Sequence, residues 1–140
     1  MSASTPRQVF ERLLRYTLEG AFDDRVGLYS EDCVLEMPFA PPGVARRYEG
    51  EEVRALFNAG RTLPMKYDAV SSVRIHETAD PEVIISEFEI SGRVTTTGAP
   101  FSRAYIMVIR VRDGRIVASR DYANPLARAE LPAAVGGAAS

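Results

Sequence analysis

The apolar residues in the first part of the chain recur every three or four positions, as they do on one face of an α-helix. The first set consists of Val9, Phe10, Leu13 and Leu14. Just before it, Thr5 and Gln8 have the spacing of a capping box, and Pro6 stands at the first helical position. We therefore predict a helix over Pro6–Glu19 that ends at Gly20.

Two shorter helices are predicted farther along the chain. Asp23 is expected to cap the first of them, with Val26 and Tyr29 pointing inward and the polar residues 30–32 ending it. The second covers residues 51–59, because three apolar residues there have helical spacing. These residues are Val53, Leu56 and Phe57.

Alternating or continuous apolar positions predict strands in the remainder of the chain. The predicted strands cover residues 33–37, 66–76, 83–94, 101–112 and 115–123. The prolines of residues 38–43 make a rigid loop after the first strand, which we expect at the mouth of a pocket. Helices that precede a long antiparallel sheet predict an α+β fold, with the helices covering one face of the sheet.

The pairing of the last two strands decides which side chains meet, because a shift of one residue exchanges the two faces. We predict a type I turn with Gly114 in a left-handed bulge, which places Asp121 opposite Tyr105; a two-residue turn would pair Asp121 with Ile106 instead. One face then carries Phe101, Arg103, Tyr105, Met107, Ile109, Val111, Val117, Ser119, Asp121 and Ala123. The other face carries Arg110, Arg112 and Arg120.

The polar half of the first face is the candidate reactive site. Asp121 lies there with Tyr105 and Arg103, and the small residues Ser119 and Ala123 leave room beside the carboxylate. A carboxylate in an apolar cavity is more basic than one in water, and an arginine nearby has the opposite effect. Such a group suits general acid–base catalysis. The alternative is that Asp121 forms an ion pair with an arginine and does nothing else.

Composition restricts the possible partners. The chain has 140 residues, of which 46% are hydrophobic, and a net charge of −2. We expect one domain over residues 1–140, with flexibility in about the last eight residues. A chain without a basic surplus is not expected to bind nucleic acid. No apolar run has the length of a membrane span or a secretory signal, so we expect a cytoplasmic protein without a membrane partner.

Other potentially reactive residues receive plainer interpretations. Cys33 and His76 are the only cysteine and histidine, too few for the usual metal-ligand sets. We expect no metal, a buried and inert Cys33 thiol, and an exposed His76. Glu36 alternates with the apolar residues of its strand, so it should face away from the cavity, although a pocket position remains open. The basic pair at residues 46–47 either binds an anionic group of the substrate at the pocket mouth or forms a solvated rim.

Four stretches in order resemble the nuclear transport factor 2-like superfamily, in its SnoaL-like branch. They are LYSEDCVLEMPFAPPG at 28–43, YEG at 48–50, HETADPEVIISEFEISG at 76–92 and VRDGRIVASRDYANPLA at 111–127. The resemblance covers nearly the whole chain. It implies a cone-shaped, curved antiparallel or mixed sheet with three N-terminal helices, which together enclose a hydrophobic cavity. It also implies a homodimer through the outer sheet face, where Ala104, Ile106 and Val108 alternate.

Branches of the superfamily differ in the residues they would place here. The resemblance to ketosteroid isomerases puts that branch's catalytic groups at Leu13, Met37 and Met107, which cannot move a proton. Limonene-type epoxide hydrolases share the aspartate of Arg120-Asp121-Tyr122, but their partner Arg and Asp fall on Phe88 and Ile90. Phenazine-biosynthesis A/B proteins share a Glu-Thr-x-Asp-Pro turn, seen here at residues 77–81, and an acid at position 121; their pocket histidine falls near Pro64.

Two functions follow from these observations. The first is a cofactor-independent enzyme acting on a hydrophobic metabolite, an isomerase, polyketide cyclase-like enzyme or epoxide-hydrolase-like hydratase of secondary metabolism. Asp121 would be the acid or base, with Tyr105 and Arg103 orienting the substrate. The expected substrate-binding residues are Tyr16, Leu35, Met37, Phe39, Phe57, Tyr67, Phe88, Ile90, Met107, Ser119 and Ala123. The second is a ligand-binding or accessory protein in which no bond changes.

Overall fold

The computed structural model describes residues 3–124 of the chain; the tail for which we predict flexibility lies outside them. Its elements, in chain order, are α1 (Pro6–Glu19), α2 (Phe22–Val26), β1 (Tyr29–Glu36), β2 (Arg47–Glu49), α3 (Glu51–Gly60), β3 (Met65–Glu77), β4 (Val83–Val94), β5 (Pro100–Arg112) and β6 (Arg115–Ala123). None of the helices in residues 3–124 combines the length and the apolar composition of a membrane span.

Helix α1 begins and ends as predicted. The Gln8 amide donates to the Thr5 hydroxyl at 3.2 Å, and the Thr5 amide donates to the Gln8 side chain at 3.0 Å, which completes the capping box. Gly20 ends the helix in the left-handed conformation, with a φ of 69°. Val9 and Phe10 are fully buried, so the predicted apolar face is the one that packs on the sheet.

The second helix and the first strand differ from the prediction. Ala21, not Asp23, is the N-cap of α2, and Asp23 lies inside the helix. Strand β1 begins at Tyr29, so residues 30–32 are extended rather than a helix stop. The cause is tertiary: Tyr29 pairs with Ile116 of β6 in a parallel ladder, and the Ile116 amide donates to the Leu28 carbonyl. Pairing with a distant strand overrides the local polar sequence.

The sheet has six strands in the order β2-β1-β6-β5-β4-β3. The β1–β6 pair is parallel and the other pairs are antiparallel, so the sheet is mixed. Strand β2 is only three residues long and was not predicted; its partner is the end of β1. The α+β architecture with three helices is confirmed.

Strand β3 contains two irregularities that change which residues face inward. The pairing with β4 shifts between Tyr67 and Ala69 and again between Ser71 and Arg74. Regular alternation along residues 66–76 would place Tyr67, Ala69 and Val73 on one face, but beyond the first shift Ala69 and Val73 are exposed. Val70 and Ile75 pack against the core instead. Bulges of this kind bend a strand and help a sheet to curve around its helices.

The last hairpin has a different turn from the predicted one but the same inward face. Asp113 and Gly114, with φ values of 53° and 77°, form a two-residue turn in which Arg112 pairs with Arg115. The register then shifts by one residue at Val117, so Asp121 lies opposite Met107 and not opposite Tyr105. The turn and this bulge offset each other. Ile116, not Val117, is the buried residue at the beginning of β6.

The core fills the space between the helices and the inner face of the sheet. Phe10 of α1 contacts Phe88 of β4 with ring centroids 5.6 Å apart, and Phe57 of α3 contacts Tyr29 of β1 at 4.9 Å. The helices thus cover one face of the sheet, as predicted. The inward side chains of β5 and β6 lie in the layer between the helices and the sheet.

Candidate active site

A row of polar side chains runs along the inner face of β5 and β6. Arg103, Tyr105 and Asp121 are each at most 4% exposed. Their side chains share this face because residues two apart in a strand point to the same side, and the bulge at Val117 brings Asp121 onto it. The predicted group is therefore assembled, with Asp121 diagonal to Tyr105 rather than directly opposite.

Asp121 is held by its own strand. The Ser119 hydroxyl donates to Oδ1 of Asp121 at 2.5 Å, and both side chains are buried. A short hydrogen bond from a hydroxyl to a carboxylate oxygen is among the stronger side-chain interactions in a protein interior. Asp121 is the only carboxylate among the buried side chains of residues 3–124.

Arg103 and Tyr105 form a second pair in the same row. The Arg103 Nη1 group donates to the Tyr105 hydroxyl oxygen at 2.8 Å, and the Tyr105 ring stacks on Phe88 with centroids 5.4 Å apart. Burial raises the pKa of Tyr105 strongly, although the Arg103 charge opposes the shift. The hydroxyl therefore stays protonated at neutral pH, and its own hydrogen remains available for donation.

Tyr29 of β1 is a further candidate residue, which the sequence predicted on a helix and did not connect with Asp121. Its hydroxyl is buried and has no hydrogen-bond partner within the described part of the chain. Burial raises its pKa, the negative charge of Asp121 raises it further, and Arg25 lowers it. The hydroxyl consequently lies in the fields of both charges. The sequence indicated an inward Tyr29 but not its strand, because the exposed Glu31 and the irregular pairing after Tyr29 interrupt the alternation of Cys33 and Leu35.

Arg25 is the second residue that the sequence analysis missed. It is 4% exposed although it lies on the short helix α2, and its guanidinium stacks over Phe57 at 5.0 Å and Phe22 at 5.5 Å. Such cation–π contacts stabilise an arginine away from water. No local pattern in the sequence distinguishes it from an exposed helical arginine.

A cavity of about 110 Å³ opens at one end of the layer between the helices and the sheet. Its wall includes Tyr16, Phe22, Arg25, Leu63, Met65 and Tyr67. Burial raises the pKa of Tyr67, and the charges of Arg103 and Arg25 lower it. Tyr67 lines the cavity and also lies in the electrostatic field of Arg103, so it connects the cavity with the polar row. Arg25 also lines the cavity, and its charge acts on Tyr29.

The predicted substrate-binding residues fall into three groups. The first group lies buried in the core around the polar row and comprises Leu35, Met37, Phe57, Phe88, Ile90, Met107 and Ser119, with the half-buried Ala123 beside it. Tyr16 and Tyr67 form the second group, on the cavity wall. Phe39 is the exception: it is 57% exposed and contacts Tyr122 edge-on at 5.2 Å, on the outer face of the sheet. The loop after β1 folds toward that outer face, so Phe39 does not reach the interior.

The remaining candidates lie away from the row. Glu36 is on the outer face, 4.0 Å from Arg120, and His76 is exposed with its Nε2 atom 2.6 Å from Glu87. Burial raises the pKa of the Cys33 thiol, which agrees with an inert group. The described residues contain no cluster of three or more His, Cys, Asp or Glu that could hold a metal ion.

A model of the SnoaL-like domain matches residues 10–119. The chain belongs to the SnoaL-like family. An uncharacterized PhzA/B-like protein of Pseudomonas aeruginosa is 35% identical over 134 residues, which are 95% of this chain and 94% of that protein. The predicted family, and the nuclear transport factor 2-like cone that it implies, are confirmed.

Solved structures of other proteins show the same fold. A proposed isomerase from Bacillus subtilis has a TM-score of 0.80 with this SnoaL-like chain at 32% identity, over 87% of this chain and 88% of that one. A proposed polyketide cyclase from Pseudomonas putida KT2440 has a TM-score of 0.75 at 14% identity, over 93% of this chain and 100% of that one. The fold is thus one of small-molecule enzymes and binding proteins, and it does not by itself define a reaction.

Proposed function

We propose that this SnoaL-like protein is a cofactor-independent enzyme that moves a proton within a hydrophobic metabolite, in an isomerisation, cyclisation or hydration. The observation that carries the proposal is the buried Asp121 carboxylate, held at 2.5 Å by Ser119 on the same inner face as the buried Tyr105. A buried carboxylate lowers the stability of the fold unless hydrogen bonds or charges compensate it, and buried carboxylates with such partners are candidates for acid–base catalysis.

In the proposed reaction, Asp121 accepts a proton from a substrate carbon, or from the attacking water in a hydration, and then donates that proton to another atom of the substrate. The negative charge that develops on a substrate oxygen is stabilised by hydroxyl donors whose positions are fixed before the substrate binds. Tyr29 and Tyr105 are those donors, because both hydroxyls are buried and burial keeps both protonated. Arg103 polarises the Tyr105 hydroxyl through its 2.8 Å hydrogen bond and so strengthens it as a donor.

The test compares Asp121→Asn with the unsubstituted protein on a panel of hydrophobic ketones, enones and epoxides, followed by proton NMR in D2O. We expect the substitution to lower turnover by about 10²–10⁴-fold, the usual contribution of a general acid or base. The melting temperature should change by only a few degrees, because Asn keeps the shape. Asp113→Asn, in the exposed hairpin turn, is the matched control. Equal turnover by the Asp121→Asn protein would contradict the proposal.

The alternative is a ligand-binding protein, and one observation favours it. No second carboxylate is buried beside Asp121 within residues 3–124, so a mechanism with separate acid and base carboxylates is not supported. A binding protein would release its natural ligand chemically intact, and Asp121→Asn would change the dissociation constant without changing any product. Mass spectrometry of the ligand before and after incubation separates the two functions.

We also propose a homodimer through the outer face of the sheet. A shallow groove of about 480 Å³ there is lined by Phe39, Ala104, Ile106 and Tyr122. Arg74 lies on the same groove together with Glu87 and Glu89, so both signs of charge flank the apolar centre. A two-fold axis through such a surface brings unlike charges together and covers the apolar side chains of both copies.

A further inference from the structure

Arg103 is a buried charged side chain that forms no ion pair within residues 3–124. It is 2% exposed, and a guanidinium stays protonated at any physiological pH. Within the described residues its one hydrogen bond is to Tyr105, a neutral hydroxyl, and no aspartate or glutamate there forms an ion pair with it. Buried charges in proteins are nearly always paired, so this guanidinium indicates a missing anion.

The free edge of the guanidinium has a definite geometry. Nη1 is engaged by Tyr105, whereas Nε and Nη2 are buried and have no hydrogen-bond partner in residues 3–124. The N–H groups of these two nitrogens are parallel and lie on one edge of the planar group. That edge matches the two oxygens of a carboxylate, which accept both hydrogen bonds at once.

The charges around this end of the row are predominantly positive. Arg103 and Arg25 both lower the pKa of Tyr67 on the cavity wall, and no negatively charged group contributes to that shift. Lys66 also lines the cavity, with Glu19 as the opposing charge at its mouth. The negative charge in the row, Asp121, raises the pKa of Tyr29 and of Tyr105, and Tyr105 also lies in the field of Arg103.

We propose that a hydrophobic carboxylic acid binds in this cavity and that its carboxylate reaches past Tyr67 to the Nε–Nη2 edge of Arg103, which lies behind the cavity wall. This names the substrate class of the proposed enzyme and rests on that proposed function. Along β5, the backbone of Arg103 is four residues, about 13 Å, from the backbone of Met107, which is the residue opposite Asp121. The carboxylate is therefore an anchor, and the reacting carbon lies at a different part of the molecule, toward Asp121.

The direct test measures binding of benzoate and its neutral isostere benzamide by NMR titration of the full-length protein at constant ionic strength. We expect benzoate to bind about ten- to hundred-fold more tightly than benzamide, as for a hydrogen-bonded charge pair. Arg103→Met should abolish this preference. Arg112→Met, an exposed arginine on the outer face, should leave it unchanged. Equal affinity for the two probes, no binding of either, or a preference that survives Arg103→Met would each overturn the proposal.

Thermal unfolding distinguishes a binding arginine from a structural one. The double variant Arg103→Met, Tyr105→Phe removes both partners of the buried hydrogen bond together, and it removes the buried charge. Without ligand, its melting temperature should therefore equal or exceed that of the unsubstituted protein. Benzoate should raise the melting temperature of the unsubstituted protein but not that of the variant. A marked fall in the ligand-free variant, or stabilisation of it by benzoate, would contradict a binding role.

Asp121→Asn separates this inference from the proposed reaction. The benzoate preference should persist in that variant, because Asp121 forms no part of the carboxylate site. If turnover proves independent of Asp121 while the preference holds, the catalytic proposal fails and the binding proposal stands. If the preference is absent while Asp121→Asn abolishes turnover, the reverse is true.

Discussion

Gly92 of β4 lies so close to Lys66 of β3 that a Cβ atom at position 92 would be 2.0 Å from the Lys66 carbonyl oxygen. The position is opposite Tyr67, just before the first irregularity of β3. The missing side chain also lets the rings of Tyr67 and Phe101 meet across β4, with centroids 5.9 Å apart. One glycine thereby sets the position of a tyrosine on the cavity wall.

Gly92→Ala should consequently impair both stability and binding. The Lys66 backbone must move to admit the methyl group, and overpacking of this kind costs about 1–3 kcal/mol. Chemical unfolding measures this loss, and benzoate titration should show weaker binding because Tyr67 moves with its neighbour. Gly98→Ala is the control: it has open space but a φ of 76°, so it should cost about 1 kcal/mol and leave binding unchanged. Similar effects of the two substitutions would contradict the steric account.

Ser119→Ala is expected to lower turnover about ten-fold and also to lower the free energy of unfolding. The substitution removes the hydroxyl that fixes Asp121, and a hydrogen bond to a charged group contributes about 1.5–3 kcal/mol. The readout is kcat against KM, since a misplaced carboxylate lowers kcat first. Ser86→Ala, at another buried serine whose hydroxyl donates to the Met107 carbonyl at 3.4 Å, should leave kcat unchanged. A normal kcat in Ser119→Ala would show that Asp121 does not depend on this contact.

The fold could be predicted because its determinants are local and repeated. Three such features appear in the structure: the capping box at Thr5, the left-handed Gly20 and the two-residue alternation of β4 and β5. Each depends only on residues that are close together in the sequence. The inner face of β6 was also predicted, but from a wrong turn. The two-residue turn at Asp113 and the bulge at Val117 changed the register twice, and the inward face was preserved.

The parts of the site that were not predicted depend on contacts between distant segments. Tyr29 belongs to β1 only because Ile116 pairs with it, 87 positions later by the difference of their numbers. Arg25 is buried because two aromatic rings from α2 and α3 enclose it. Phe39 points outward because its ring contacts the ring of Tyr122 on the outer face of the sheet. Spacing within a short segment contains no information about such partners.

Glu82 gives a pH-dependent contribution to stability. It accepts hydrogen bonds from Arg112 and Arg110, which together lower its pKa to about 2. The folded protein thus holds the carboxylate charged at pH values where the unfolded chain, with an ordinary pKa near 4.5, has begun to protonate. A group with a lowered pKa in the folded state stabilises it above the unfolded value, and this stabilisation is lost as the pH falls toward 2.

We therefore expect Glu82→Gln to lower the melting temperature at pH 7, with the difference from the unsubstituted protein shrinking between about pH 4.5 and pH 2. The effect should also decrease in high salt, because these side chains are partly exposed. A difference that stays constant from pH 7 to pH 2 would mean that packing of the side chain, and not its charge, is responsible.

The proposed dimer makes a prediction about Ile106, which is 42% exposed at the centre of the outer groove. In a two-fold contact this side chain meets apolar groups of the second copy, so Ile106→Glu would bury a charge without a partner in both halves of the interface. Sedimentation velocity at micromolar concentration should show a dimer for the unsubstituted chain and a monomer for Ile106→Glu. Leu18→Glu, on helix α1, should remain dimeric, since it lies on the side of the sheet that the helices cover. A monomeric unsubstituted chain would refute the dimer, and a dimeric Ile106→Glu protein would place its interface elsewhere.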